Sequence, residues 1–162
     1  MSLRIDVVRD EIAPELRIMS ERMGDFSEPF SVILADGLGA AQETIVEKKA
    51  APGGGPWALM AEATIRKGRD PSTLLIETGE GVLSLSRGGS GNVFEVGPVE
   101  GRAGSVLTSK RTGYPYMKGM QEGAFNRPPR PFLAWPEERI PQYGSLILGH
   151  IMGEPPSGVV HG

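Results

Sequence analysis

The side chains able to do acid-base, nucleophilic or metal chemistry are few in this chain, and their spacing is unhelpful to an enzyme. There are 2 histidines, His150 and His161. The first falls in a predicted final helix and the second in a terminal tail. Neither has a ligand partner at helical spacing, so both read as surface or partly packed imidazoles. With 0 cysteines, disulfides, Cys-based zinc sites and thiol catalysis are excluded. Carboxylate pairs exist at Glu11 and Glu15 and at Glu43 and Glu47, one helical turn apart, where they read as solvated helix faces. Spacing alone does not exclude a hydrolytic pair among them. Glu137 and Glu138 open the last helix, where negative charge favours the positive end of the helix dipole. Ser84 and Ser86 lack a GxSxG elbow. The runs PGGGP and GGSGN lack the strand-to-helix setting and the Lys-Ser/Thr or GxGxxG pattern of a phosphate cradle, and read as turns. No catalytic residue, cofactor site or metal site is expected.

A second constellation is electrostatic. Arg102, Lys110, Arg111, Lys118, Arg127 and Arg130 are interleaved with Tyr114, Tyr116 and Phe125. Residues 100–130 carry 6 basic and 2 acidic side chains, whereas residues 1–62 carry 6 basic and 11 acidic ones, within a net charge of -3. Opposite poles suit head-to-tail contacts between identical subunits, or one face turned towards an anion. No nucleic-acid recognition fold accompanies the basic residues. Repeated around a ring they would form a positive lining near DNA without reading sequence, and docking on an acidic neighbour is equally compatible.

Positioning these residues needs a scaffold, and apolar periodicity outlines one. Leu3, Ile5 and Val7 alternate as in a half-buried strand. Ile12, Leu16, Met19 and Met23 lie on one face of a helix that admits Pro14 only in its opening turns. Ser27 is an expected N-cap, with Pro29 in the first turn and Phe30, Leu34, Leu38, Ala41 and Ile45 forming a second apolar stripe as far as about Lys49. The break at 50–57 is followed by a helical piece over 60–67. Segments 74–77, 82–86 and 93–96 predict an antiparallel meander. Residues 97–131 predict a long loop or arm. Pro136 opens a last helix with Ile140, Tyr143, Ile147 and Ile151 on one face.

The resulting expectation is a small α+β fold. An antiparallel sheet from within residues 74–120 is packed by two N-terminal helices and one C-terminal helix. At 162 residues a single domain suffices, taken as 1–153, with 154–162 a flexible C-terminal tail. Gly and Pro number 23 and 14, which announces irregular loops. The N-terminus turns to charge before any apolar run of signal-peptide length, and no membrane-spanning stretch is present, so a protein without membrane contact is expected.

Three stretches in fixed order resemble the phage virion morphogenesis family, which includes the tail completion protein of Mu-like phages. They are PGGGPWALMAEATIRKGRDP (52–71), LLIETG (74–79) and YPYMKGMQEGAFNRPPRPFLAW (114–135). The family pattern falls on Pro52, Gly54 and Trp57, on Thr64, Lys67 and Gly68, on Thr78 and Gly79, on Tyr116 and Gly123, and on Arg130, Pro131, Phe132 and Leu133. The likeness covers most of residues 50–152. The sequence departs from the pattern at Glu80-Gly81, where a large apolar residue is usual, and in a longer loop between Gly97 and Tyr114. The resemblance implies a non-enzymatic structural virion protein, a tail completion, terminator or neck subunit forming a ring at the head-tail junction. A hexamer, assembled in the host cytoplasm and touching tail-tube and head-tail connector proteins, is the implied form. An assembly chaperone that leaves before maturation and a phage-encoded hydrolase are the alternatives. Within the motifs, Trp57 is expected to anchor the Gly-rich loop, Phe132 and Leu133 to pack inward, and Arg130 to pair with a carboxylate of the same or a neighbouring subunit.

Overall fold

The computed structural model describes residues 12–52, 54–70, 79–109, 112–124, 127–135 and 137–155. The Leu3–Val7 segment, the 74–77 segment and His161 lie outside them. In chain order the elements are helices α1 (Ile12–Met23), α2 (Ser27–Glu43), α3 (Glu62–Ile65) and α4 (Glu80–Leu83), strands β1 (Asn92–Val96) and β2 (Gly101–Ser105), and helices α5 (Tyr116–Glu122) and α6 (Ile140–Met152). The fold is α+β with a two-stranded antiparallel sheet.

Helix α2 is the central element. Its apolar stripe is buried at Leu34, Leu38 and Ala41 and continues to Ile45 through a π-helical turn, Thr44–Lys48. That turn ends where Lys49 adopts a left-handed conformation, φ 48°, and its N–H donates to the Thr44 carbonyl at 2.8 Å. Ser27 is the first helical residue rather than the N-cap: the Asp25 carboxylate accepts the Ser27 N–H at 2.9 Å and starts the helix from two residues earlier. Leu38, Ala41 and Ile45 join Trp57, Leu85, Met117 and Phe132 in the main core, with Phe94 and Ala103 of the sheet packed against it.

The sheet is a hairpin, with Asn92 opposite Ser105 and Val96 opposite Gly101. Its turn is closed by the Gly97 N–H on the Glu100 carbonyl at 2.8 Å, and the Phe26 N–H ties the Pro98 carbonyl to the α1–α2 junction at 2.8 Å. β2 reads GRAGS and has no apolar alternation. Its glycine is there for packing, because a Cβ on Gly101 would stand 2.7 Å from Leu34 Cδ1. The expected arm over 97–131 is thereby corrected. It supplies β2 and α5, and Met117 of α5 is one of the most buried residues in the protein.

The expected strand over 82–86 is a second correction. Gly79, at φ 71°, precedes the single turn α4, and the Leu83 N–H donates to the Gly79 carbonyl at 2.9 Å. Val82 and Leu85, three apart, turn into the core as a helix requires. The Ser84 hydroxyl, fully buried, donates to the Gly81 carbonyl and accepts from Ser105 Oγ, both at 2.7 Å. The glycine run at 87–92 forms the expected turn, and Arg87 stacks over Phe94 with its guanidinium carbon 4.5 Å from the ring centroid.

Helix α1 makes its main contact away from the sheet. It packs on α6, and none of its residues is buried. Ile12 and Leu16 are 69% and 59% exposed. The junction is made by Arg22, whose guanidinium donates to the Ile151 carbonyl at 3.3 Å at the C-terminal end of α6, where a cation complements the dipole. On α6 the buried positions are Tyr143 and Leu146, while Ile140 faces solvent, so the buried face is rotated from the one expected.

Candidate functional site

Of the motif residues, Trp57 and the Arg130–Leu133 strap converge on one knot. The Gly-rich loop is a tight reversal in which the Ala51 N–H reaches the Gly55 carbonyl and the Trp57 N–H reaches the Lys49 carbonyl, both at 3.1 Å. This delivers the Trp57 ring to the core, where its Nε1–H donates to the Pro131 carbonyl at 2.9 Å. Arg130 runs the other way. Its guanidinium donates to the carbonyls of Ala58 at 3.1 Å and Leu59 at 3.4 Å. Within the chain, two backbone oxygens rather than a carboxylate take this fork-shaped donor, which reaches back across the Trp57 segment. Gln121 completes the knot and was not singled out in the sequence. Its Oε1 accepts the N–H groups of Phe132 and Leu133 at 2.9 and 3.0 Å, and its Nε2 donates to the Leu133 carbonyl at 3.0 Å.

Phe132 is buried as expected, whereas Leu133 is 40% exposed. Consecutive residues of an extended strap point to opposite sides, so only one of the two can enter the core. Gly123 ends α5 at φ 80°, and a Cβ there would press on the Arg127 carbonyl at 3.0 Å and on Pro129 N at 3.1 Å. Tyr116 starts α5 half-buried; burial, then Glu80, pushes its hydroxyl above the ordinary value. Pro52 and Gly54 lie in the loop, Gly79 leads α4, and Thr64, Lys67 and Gly68 lie on or just after α3, away from the main core. Thr78 lies outside the described residues.

Beside the knot is an open groove of about 670 Å³ lined by Tyr114, Tyr116, Met120, Arg127, Pro128 and Arg130, among others. Its floor is apolar and tyrosine-rich. Burial, followed by the nearby Arg127, lowers the proton affinity of Arg130. Lys118 is exposed on α5 and lies 4.0 Å from Glu122. Arg102 is apart from this groove, on β2, paired with Glu100 at 3.8 Å. Lys110 and Arg111 lie outside the described residues. Of the six basic positions singled out in the sequence, then, Arg127 and Arg130 are brought together.

His150, Glu43 and Ser86, weighed in the sequence for acid-base or nucleophilic chemistry, are engaged elsewhere. His150 Nε2–H donates to the Asp25 carbonyl at 2.8 Å, and its Nδ1 faces Glu28 at 3.6 Å. Glu43 pairs with Lys48 at 3.1 Å. Ser86 Oγ accepts from Gln42 at 2.7 Å. Among the described residues, no group of three or more His, Cys, Asp or Glu is placed to hold a metal ion, and no helix is long and apolar enough to cross a membrane. No family model, curated protein or solved structure matches the chain.

A buried polar cluster joins α2 to α6. Arg139 Nη1 donates to Asp36 Oδ1 at 2.9 Å, the Tyr143 hydroxyl donates to Asp36 Oδ2 at 2.6 Å, and Glu43 stands 3.8 Å from Arg139. Burial and the Asp36 carboxylate hold the Tyr143 hydroxyl far above its ordinary value. Trp135 packs edge-on to Tyr143, with ring centroids 5.9 Å apart, and lies against Gly37. The signal available in the sequence was a lone acid, Asp36, inside an apolar helix, matched by Arg139 and Tyr143 four apart.

Proposed function

We propose that the protein is a structural subunit of a tailed-phage particle, a tail completion, terminator or neck component that works by packing into a ring at the head-tail junction. The observation that carries this reading is the knot. Trp57, from one of the stretches that carry the resemblance, and Gln121 and Arg130–Phe132, from another, spend their polar atoms on backbone groups. The motif residues Trp57, Arg130, Pro131 and Phe132 thus behave as a framework. A framework of this kind holds a shaped surface rigid, as a ring subunit requires, and asks no chemistry of it.

Two unlike surfaces support assembly over solitary action: an apolar α1–α6 face, and the tyrosine-rich groove that includes Arg127 and Arg130. Unlike surfaces favour head-to-tail contacts, which close into a ring when the rotation permits. Six subunits match the symmetry of a tail, with tail-tube and connector proteins above and below, and the basic residues near the DNA channel.

Disruption of the gene in the encoding phage tests the reading. Electron microscopy of the lysate is expected to show filled or leaking heads beside unjoined tails. Normal joined particles in undiminished number would remove it.

A further inference from the structure

We infer that the protein docks on a second copy of itself through two specific surfaces: the end where α1, α2 and α6 meet seats on the Tyr114–Arg130 groove of its neighbour. This rests on the reading of the chain as an assembling subunit, and not on which particle it serves.

The first surface begins with α6. Its sequence, IPQYGSLILGHIM, has no Asp, Glu, Lys or Arg and is apolar around most of its circumference, the pattern of a helix covered on every side. Yet Leu148 and Met152 are 61% and 58% exposed, and Met23 at the end of α1 is 49% exposed. Carboxylates stand beside this apolar end. Glu28 and Glu154 line one cleft with His150, and Asp25 lies in the adjoining one. The hydrogen bonds from Ser27 lower the Asp25 value and keep it charged. Arg22, held on the Ile151 carbonyl in the same cleft, offsets one of these three carboxylates, and Arg17 pairs with Glu21 at 3.5 Å, so this end keeps a net negative charge.

The second surface has the complementary make-up. Tyr114, Tyr116 and Met120 offer an apolar floor for methionine and leucine side chains, and Arg127, with Arg130 behind it, supplies the opposite charge. Pairing either surface with its own copy would bring like charges together, whereas pairing one with the other joins apolar to apolar and carboxylate to guanidinium. The charge pattern therefore selects a heterologous contact, and an acidic, methionine-bearing end of the same chain is the occupant that fits.

The absence of cysteine makes cross-linking a clean test. Two single variants, Met152→Cys and Pro128→Cys, both at exposed positions, are purified, mixed at high concentration and oxidised. A mixed disulfide between them is expected, with neither variant coupling to itself. Introducing Glu28→Lys on the first chain, or Arg127→Glu on the second, is expected to slow the mixed disulfide about tenfold, and both together to restore it. Melting curves confirm that the variants fold. Self-coupling of Met152→Cys, absence of the mixed product, or indifference to both charge reversals would overturn the contact. An intact mixed product from a protein that is missing from purified particles would instead remove the neck reading and leave the contact standing.

Discussion

Replacing Asp36 with Ala is expected to be among the most damaging single changes in this protein, although it touches neither proposed surface. The Asp36 and Arg139 side chains are 5% and 12% exposed, and the carboxylate accepts from Arg139 at 2.9 Å and from Tyr143 at 2.6 Å. The substitution leaves a guanidinium and a phenol facing each other with their acceptor gone. Hydrogen bonds to a charged group are worth about 1.5–3 kcal/mol each, and breaking a buried pair from one side costs about 3–5 kcal/mol, so a loss of about 4 kcal/mol is expected. At about 2–4 °C per kcal/mol for a chain of this size, the melting temperature falls by about 8–16 °C. Asp36→Asn keeps an acceptor for Tyr143 and is expected to lose about half as much. Asp36→Leu combined with Arg139→Met removes both charges and is expected to recover most of the loss. Thermal melting followed by circular dichroism, with denaturant unfolding to check that the slope is unchanged, measures all three. A fall below about 3 °C for Asp36→Ala would refute the view that this pair locks α6 to α2.

Four further outcomes are expected. Trp57→Phe removes the bond to the Pro131 carbonyl and costs about 1 kcal/mol, whereas Trp57→Ala also empties the core and costs about 4 kcal/mol in denaturant unfolding. Tyr143 has a folded value raised above 10.0, so its contribution is complete below pH 10 and is lost as pH rises beyond it; Tyr143→Phe is expected to flatten the alkaline decline of melting temperature. Asp25 has a folded value below 3.8, so its contribution holds above that pH and is lost as pH falls through the folded value, and Asp25→Ala is expected to weaken the acid limb of the same profile. Gly101→Val drives a side chain onto Leu34 and is expected to cost about 1–3 kcal/mol by overpacking, seen as a lower denaturant midpoint.

Helix α2 was readable because its apolar residues repeat over five turns and face one core, so periodicity and burial coincide. β1 was readable for the same reason in miniature. β2 was hidden because a helix packs directly on it: Gly101 and Ala103 keep the backbone low under α2, and small residues carry no strand signature. The 82–86 segment misled because Val82, Ser84 and Ser86 mimic alternation, while the buried Ser84 hydroxyl satisfies a carbonyl of the same turn. In α1 the stripe was real, but amphipathicity says that a face needs covering and not what covers it. The site was legible in part. Trp57 and Phe132 were placed in the core as expected, but the partner of Arg130 was missed because backbone carbonyls leave no mark in a sequence, and Gln121 because its role depends on a strap that arrives from elsewhere in the chain.

A neck or tail subunit is a part of the finished particle, and quantitative mass spectrometry of purified, salt-washed virions measures that directly. The chain is expected in every preparation at a fixed ratio to the other tail proteins, corresponding to one ring per tail. Its absence from particles, with abundant protein left in the lysate, would contradict the account and favour an assembly chaperone.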